Sequence, residues 1–110
     1  MSSRVFELRT YYTPPGGLPA LETRFREHTL GLFERHGLDV VGFFTPTDGG
    51  DDTLIYLLAF DSREAADAAW TAFRADPEWI AAKAASEARG PVVDRVESVF
   101  LDGTDYSPLR

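Results

Sequence analysis

Residues 4–12 (RVFELRTYY) alternate with a period of two, placing Phe6, Leu8, Thr10 and Tyr12 on one face and Val5, Glu7, Arg9 and Tyr11 on the other. That period, in a run rich in β-formers, predicts a strand with one apolar and one mixed face. Two prolines and two glycines at 14–17 end it, since proline cannot donate to a ladder and glycine favours turns. The period then changes. Leu18, Leu21, Phe25, His28, Leu32 and His36 recur every three or four residues, which predicts an amphipathic helix with Pro19 in its first turn and Gly37 as a left-handed cap. Residues 38–46 predict a second strand, 47–52 (TDGGDD) a hairpin-type loop, and 53–60 (TLIYLLAF) an almost wholly apolar third strand. A capping-box pattern at 61–64 opens a helix with Ala66, Ala69, Trp70 and Phe73 on its apolar stripe. Asp76 as N-cap and Pro77 in the first turn restart a helix at once, and Trp79, Ile80 and Ala84 form its packing side. Gly90 and Pro91 break it before a fourth strand at 92–101 and an irregular tail at 102–110.

The order β-α-β-β-α-β is the split βαβ, ferredoxin-like pattern. It predicts one α+β domain over 1–110, with an antiparallel four-stranded sheet in the order 4-1-3-2. Both helices of that fold cover one sheet face and leave the other open. An open face is normally polar, yet the second and third strands are apolar on both sides. Leaving such side chains in water forgoes about 1.5–3 kcal/mol each. The pattern therefore predicts a two-fold homodimer whose open faces pack together as a dimeric α+β barrel. Glu7 and Arg9 against Arg95 and Glu97 have reversed sign order, which predicts a cross-strand charge ladder between the first and last strands. The tail, with Tyr106, Pro108 and Leu109 to place, is expected to reach the second subunit.

Composition narrows the partners. The net charge of -7 disfavours nucleic acid and anionic membrane surfaces. The absence of Cys removes disulfides, thiolate nucleophiles and zinc-finger sites. No apolar run approaches a membrane span, and 1–12 lacks the form of a signal peptide, so a cytoplasmic protein is expected. Arg outnumbers Lys ten to one and neither Asn nor Gln occurs, so buried polar roles fall to charged side chains and hydroxyls.

Few residues carry candidate chemistry. His28 and His36 are separated by two helical turns and share no metal-binding spacing, so no metal is expected. His28 on the apolar stripe should face the sheet, either as a general base or as an ordinary core histidine with a hydrogen-bonded ring. His36 should serve the helix C-terminus. Tyr11, Tyr56 and Trp79, with Arg9, are candidates to surround a small apolar or aromatic ligand between sheet and helices, Trp79 acting as a lid. No phosphate-binding glycine loop, nucleophile elbow or Cys–His pair is present, and the acidic loop with Asp48, Asp51 and Asp52 is a solvated turn. Two functions stay open: proton transfer or oxygenation needing no cofactor, and a non-catalytic interaction or ligand-sensing module.

Several stretches in order carry a family resemblance: VFELRTY at 5–11, RFREHT at 24–29 with Leu32, Phe33, His36 and Gly37, YLLAF at 56–60 running into SREA, FRADPEW at 73–79, and the closing DYSPLR at 105–110. Together they resemble the NIPSNAP family over essentially the whole chain. The resemblance implies a dimeric α+β barrel. Similar barrels include small monooxygenases without cofactors, haem-degrading enzymes and decarboxylase-like proteins. The NIPSNAP group itself has no settled catalytic residues, and larger animal relatives are associated with mitochondria and protein interaction. Fold alone does not assign an activity.

Overall fold

Strands β1 (Val5–Tyr12) and β3 (Thr53–Phe60) lie at the centre of the sheet, flanked by β2 (Asp39–Phe44) and β4 (Arg95–Asp102) in the order β2-β3-β1-β4. All three pairings are antiparallel, so the order anticipated from sequence holds. The computed structural model describes residues 4–49 and 52–110; Gly50 and Asp51 of the expected hairpin loop lie outside the described residues. The central position of β3, paired along both edges, suits the almost wholly apolar TLIYLLAF.

One sheet face carries the helices. The first helical region is α1 (Leu18–Arg24), a π-helical turn (Phe25–Thr29) and α2 (Leu30–His36); the second is α3 (Arg63–Ala75) and α4 (Pro77–Ser86). Leu21, Phe25, Leu32 and Phe33 meet Ala66, Trp70 and Phe73 over Tyr11, Leu54, Tyr56, Leu58 and Phe60 of the sheet. Aromatic edges lock this core, with the Phe33 ring 5.0 Å from Phe73 and 5.6 Å from Trp70. Gly37 takes the left-handed conformation expected of the cap, with φ 77°. Ser62, one residue after the start of the expected capping box, caps α3 by accepting the Ala65 amide at 3.0 Å. Asp76 caps α4 through the Glu78 amide at 2.9 Å.

The two faces of β1 are assigned against their appearance. Its mixed face, with Glu7, Arg9 and Tyr11, turns toward the helices, where the Glu7 carboxylate accepts the Trp70 indole N–H at 2.7 Å. The apolar face of the sheet points away from the helices. There Phe44, Val99 and Leu101 are 57%, 48% and 40% exposed, and Ile55 and Leu57 are half-buried. Gly42 belongs to this surface because a Cβ there would stand 2.8 Å from the Phe44 ring.

The expected cross-strand charge ladder is corrected. Register sets Glu7 opposite Phe100 and Arg9 opposite Ser98, while Arg95 and Glu97 face Tyr12 and Thr10. The two charged pairs thus lie on opposite faces, and each pairs within its own strand, Arg9 with Glu7 at 2.8 Å and Arg95 with Glu97 at 3.9 Å. Within the chain, the tail makes a turn through the Ser107 amide on the Thr104 carbonyl at 3.1 Å. Leu109 then borders the groove formed by Phe6, Leu57 and Leu101, while Tyr106 stands clear in solvent.

Candidate functional site

At the centre of the covered face lies a polar network built on three alternate residues of β1. Alternation puts Glu7, Arg9 and Tyr11 on one side, and the partner strands add Tyr56 from β3 and Ser98 from β4. Arg9 donates from Nε to the Tyr56 hydroxyl at 3.0 Å, from Nη1 to Glu7 at 2.8 Å, and from Nη2 to the Tyr11 hydroxyl at 3.3 Å. The two tyrosine hydroxyls bond each other at 2.7 Å. Glu7 also accepts from Ser98 Oγ at 2.6 Å, so one buried carboxylate meets three donors. Burial alone would weaken the proton affinity of Arg9, but Tyr11, Tyr56 and the Glu7 bond reverse this and raise it above the ordinary guanidinium value. Burial pushes the Tyr56 hydroxyl well above its usual range, so it stays protonated.

Beside this network a cavity of about 370 Å³ opens between sheet and helices. Its apolar wall is Tyr11, Trp70, Phe73, Trp79, Val93 and Val96. Trp79, on the first turn of α4, lies against Phe73 with ring centres 4.7 Å apart and covers this space as a lid would. The Arg9 guanidinium sits 4.2 Å from the Trp70 ring centre, and Arg74 approaches the same ring at 5.1 Å. Four cationic side chains, Arg9, Arg24, Arg74 and Lys83, border the cavity together with Glu87 and Asp94. Arg95 also contributes at the strand end, but its guanidinium lies over the Tyr12 ring on the other face. A larger groove of about 450 Å³ runs beside α2 and β2, with only Glu34 and Asp39 as charged groups, and it lacks the converging donors that characterise small-molecule sites.

The structure therefore brings Arg9, Tyr11 and Trp79 of the expected ligand-contacting set to one cavity. Tyr56 is placed differently: fully buried, it holds Arg9 and Tyr11 from behind and has no surface left for a ligand. His28 requires the larger correction. It is exposed, and Thr29 occupies the inward position. The cause is the π-helical turn, where the Leu30 amide reaches back five residues to the Phe25 carbonyl. One extra residue in the turn advances the helical phase, so the sequence 25–28–32 no longer forms one stripe. Thr29 Oγ1 secures the turn by donating to the Arg24 carbonyl at 3.3 Å. His36 bonds Asp76 at 2.7 Å across to the α4 cap, rather than serving only its own helix end.

Arg24, to which the sequence reading gives no role, is 5% exposed and lines the cavity. Its position three residues after Leu21 on the apolar stripe was the available signal. Trp70, Arg74 and Lys83 likewise become site residues only once α3 and α4 are laid over the sheet.

Fold and cavity together define a ferredoxin-like α+β domain with a polar-floored pocket between sheet and helices. The chain belongs to the NIPSNAP family, whose model matches residues 6–108. Similar solved structures include a NIPSNAP family protein with unknown function from Agrobacterium tumefaciens, 21% identical with a TM-score of 0.87, covering 99% of this chain and 96% of that one. Another is a NIPSNAP-like domain protein from Burkholderia xenovorans, 18% identical with a TM-score of 0.86, covering 98% and 91%. A more distant likeness is to a Caulobacter crescentus protein assigned provisionally as an antibiotic biosynthesis monooxygenase, 12% identical with a TM-score of 0.62, covering 94% and 92%. At these identities the structural likenesses carry the fold alone. No curated protein matches the sequence. Among the described residues no helix is long and apolar enough to cross a membrane.

Proposed function

We propose that this NIPSNAP domain binds a small planar aromatic or apolar molecule in the cavity beneath Trp79, and works as a homodimer in which two open sheet faces cover each other. The observation that carries the binding reading is the cavity itself. About 370 Å³ of space between Trp70 and Trp79, over a fully hydrogen-bonded Arg9 network, falls within the range of small-molecule sites, about 300–1,000 Å³. The network makes the floor rigid, so little order has to be imposed when a ligand enters. The dimer reading rests on the uncovered apolar face, since a two-fold axis lets one self-complementary patch bury itself twice over.

Between catalysis and ligand sensing, the site favours sensing. His28, the candidate base for oxygenation or proton transfer without a cofactor, stands in solvent outside the cavity lining. Glu7 is held by three donors and Glu87 by Arg24 and Lys83, so neither is a free base.

Both tryptophans of the chain line the cavity, so intrinsic fluorescence reports its occupation directly. Titration with small aromatic compounds should give a saturable change, weakened at least tenfold by Trp79→Ala. The absence of saturable change across such a panel, or binding indifferent to Trp79→Ala, would remove the cavity as a ligand site. Sedimentation of the wild type at twice the chain mass is the corresponding expectation for the dimer. A monomer at micromolar concentration would remove that part.

A further inference from the structure

Two buried arginines border the cavity, and their environments differ. Every side-chain nitrogen of Arg9 that donates has an acceptor: Tyr56, Glu7 and Tyr11 take Nε, Nη1 and Nη2. Arg24 is as deeply placed but poorly served. Its Nη1 reaches Ser86 Oγ at 3.2 Å and Glu87 only at 3.5 Å, and Glu87 is shared with Lys83 at 3.1 Å. The buried Nε of Arg24 has no partner. Leaving a charged N–H buried without an acceptor is costly and leaves the Arg24 charge poorly met within the chain. Nε itself is too deeply buried to meet a ligand, so an outside acceptor would be taken by the Nη groups, of which only Nη1 has a partner among the described residues. Burial also pulls the proton affinity of Arg24 below the ordinary guanidinium value despite Glu87, so its charge is under-compensated.

We propose that the cavity is an oxyanion-plus-aromatic site: a planar apolar body lies between Trp70 and Trp79, and its carboxylate-type head is held by Arg24 with Arg74 and Lys83 at the rim. This deepens the ligand-binding reading above and rests on it. Charge supports it: with Arg9 paired to Glu7, Arg24, Arg74 and Lys83 still outnumber Glu87 and Asp94 here, in a chain of net charge -7. Chemistry supports it as well. The Arg24 guanidinium sits 5.1 Å from the Trp79 ring centre, so an anionic head on Arg24 places the attached ring beside that indole. Guanidinium forks match carboxylate and phosphate oxygens, so both heads belong to the class and the aromatic body sets it apart from a site for a bare ion.

The test is calorimetric titration of the full chain with 2-naphthoate, its neutral counterpart 2-naphthamide, 2-naphthyl phosphate and inorganic phosphate. Naphthoate or naphthyl phosphate should bind at least tenfold more tightly than naphthamide, and the tighter of the two identifies the head as carboxylate or phosphate. Inorganic phosphate alone should bind more weakly than either. Arg24→Lys should shrink the preference for the anion over naphthamide at least tenfold. Arg74 is exposed, so Arg74→Met keeps the fold even if the Arg24 variant does not, and it should shrink that preference several-fold. Equal binding of naphthoate, naphthyl phosphate and naphthamide, or a preference untouched by Arg74→Met, would overturn the anion assignment and leave the aromatic pocket standing. Inorganic phosphate binding as tightly as the naphthyl anions would overturn the aromatic half. Binding of none of the four would remove the ligand-binding reading together with the inference.

Discussion

The two faces of this sheet invert the usual rule. The face covered by helices holds a carboxylate, a guanidinium and two phenols, whereas the face without helices is built from Phe, Ile, Leu and Val. On the covered side, charge is tolerated because each polar atom of Glu7 and Arg9 meets a partner supplied by three strands and α3. On the open side, among the described residues, the tail borders the Phe6 corner and the rest of the apolar face stays exposed or half-buried. Burial in this domain is thus decided by pairing on one face and, in the proposed dimer, by association on the other.

The comparison breaks most severely at Glu7. Glu7→Ala strands Arg9 and the Trp70 indole in the interior, and removing one member of a buried pair costs about 3–5 kcal/mol. Urea denaturation should show that loss; a change under 1 kcal/mol would mean that the network contributes little. Glu7→Gln, which keeps an acceptor, should lose less.

On the open face, Val99→Glu sets a carboxylate into the proposed dimer contact and removes a burial worth about 1.5–3 kcal/mol in each copy. Sedimentation should shift toward monomer, and stability should cease to depend on protein concentration. An unchanged dimer would move the contact elsewhere.

A smaller effect is expected in acid, at the junction that holds the helical layer together. His36, the Glu78 amide and Arg35 keep the Asp76 carboxyl down at about 2, against the usual 3.8. A carboxyl lowered in the folded state contributes stability above its ordinary value and loses it as pH falls from about 4 toward about 2. Acid unfolding followed by circular dichroism should begin in that window, and His36→Ala should move the midpoint to higher pH. An identical acid midpoint would exclude Asp76 from the transition.

Least of all should follow from His28→Ala. An exposed side chain outside the cavity changes stability by less than about 0.5 kcal/mol, and ligand affinity should not move. A tenfold loss of binding would return His28 to the site.

Much of the architecture was legible because it depends on local periodicity. The apolar run at 53–60 marks β3 residue for residue, and Asp76-Pro77 and Gly37 mark helix ends by capping chemistry that acts within a few residues. Arg9, Tyr11 and Trp79 could be named because alternation in β1 and the helix restart at Asp76-Pro77 limit where they point. His28 escaped the sequence because an unbroken 3.6-residue period puts it on the stripe, whereas the π-helical turn at Phe25–Thr29 gives that inward place to Thr29. Arg24 is different: its spacing from Leu21 is that of the stripe, and its charge alone argued for solvent.

Sequence by itself determined the order of elements, the family and the presence of strands apolar on both faces. Which charges meet was decided only in three dimensions, because register turned Glu7 and Arg9 inward and Arg95 and Glu97 outward and so separated pairs that looked complementary. The unpartnered Arg24 nitrogen belongs to the same level. Side-chain periodicity fixes the face on which a residue starts, while satisfaction of a buried donor depends on atoms contributed by strands and helices distant in the chain.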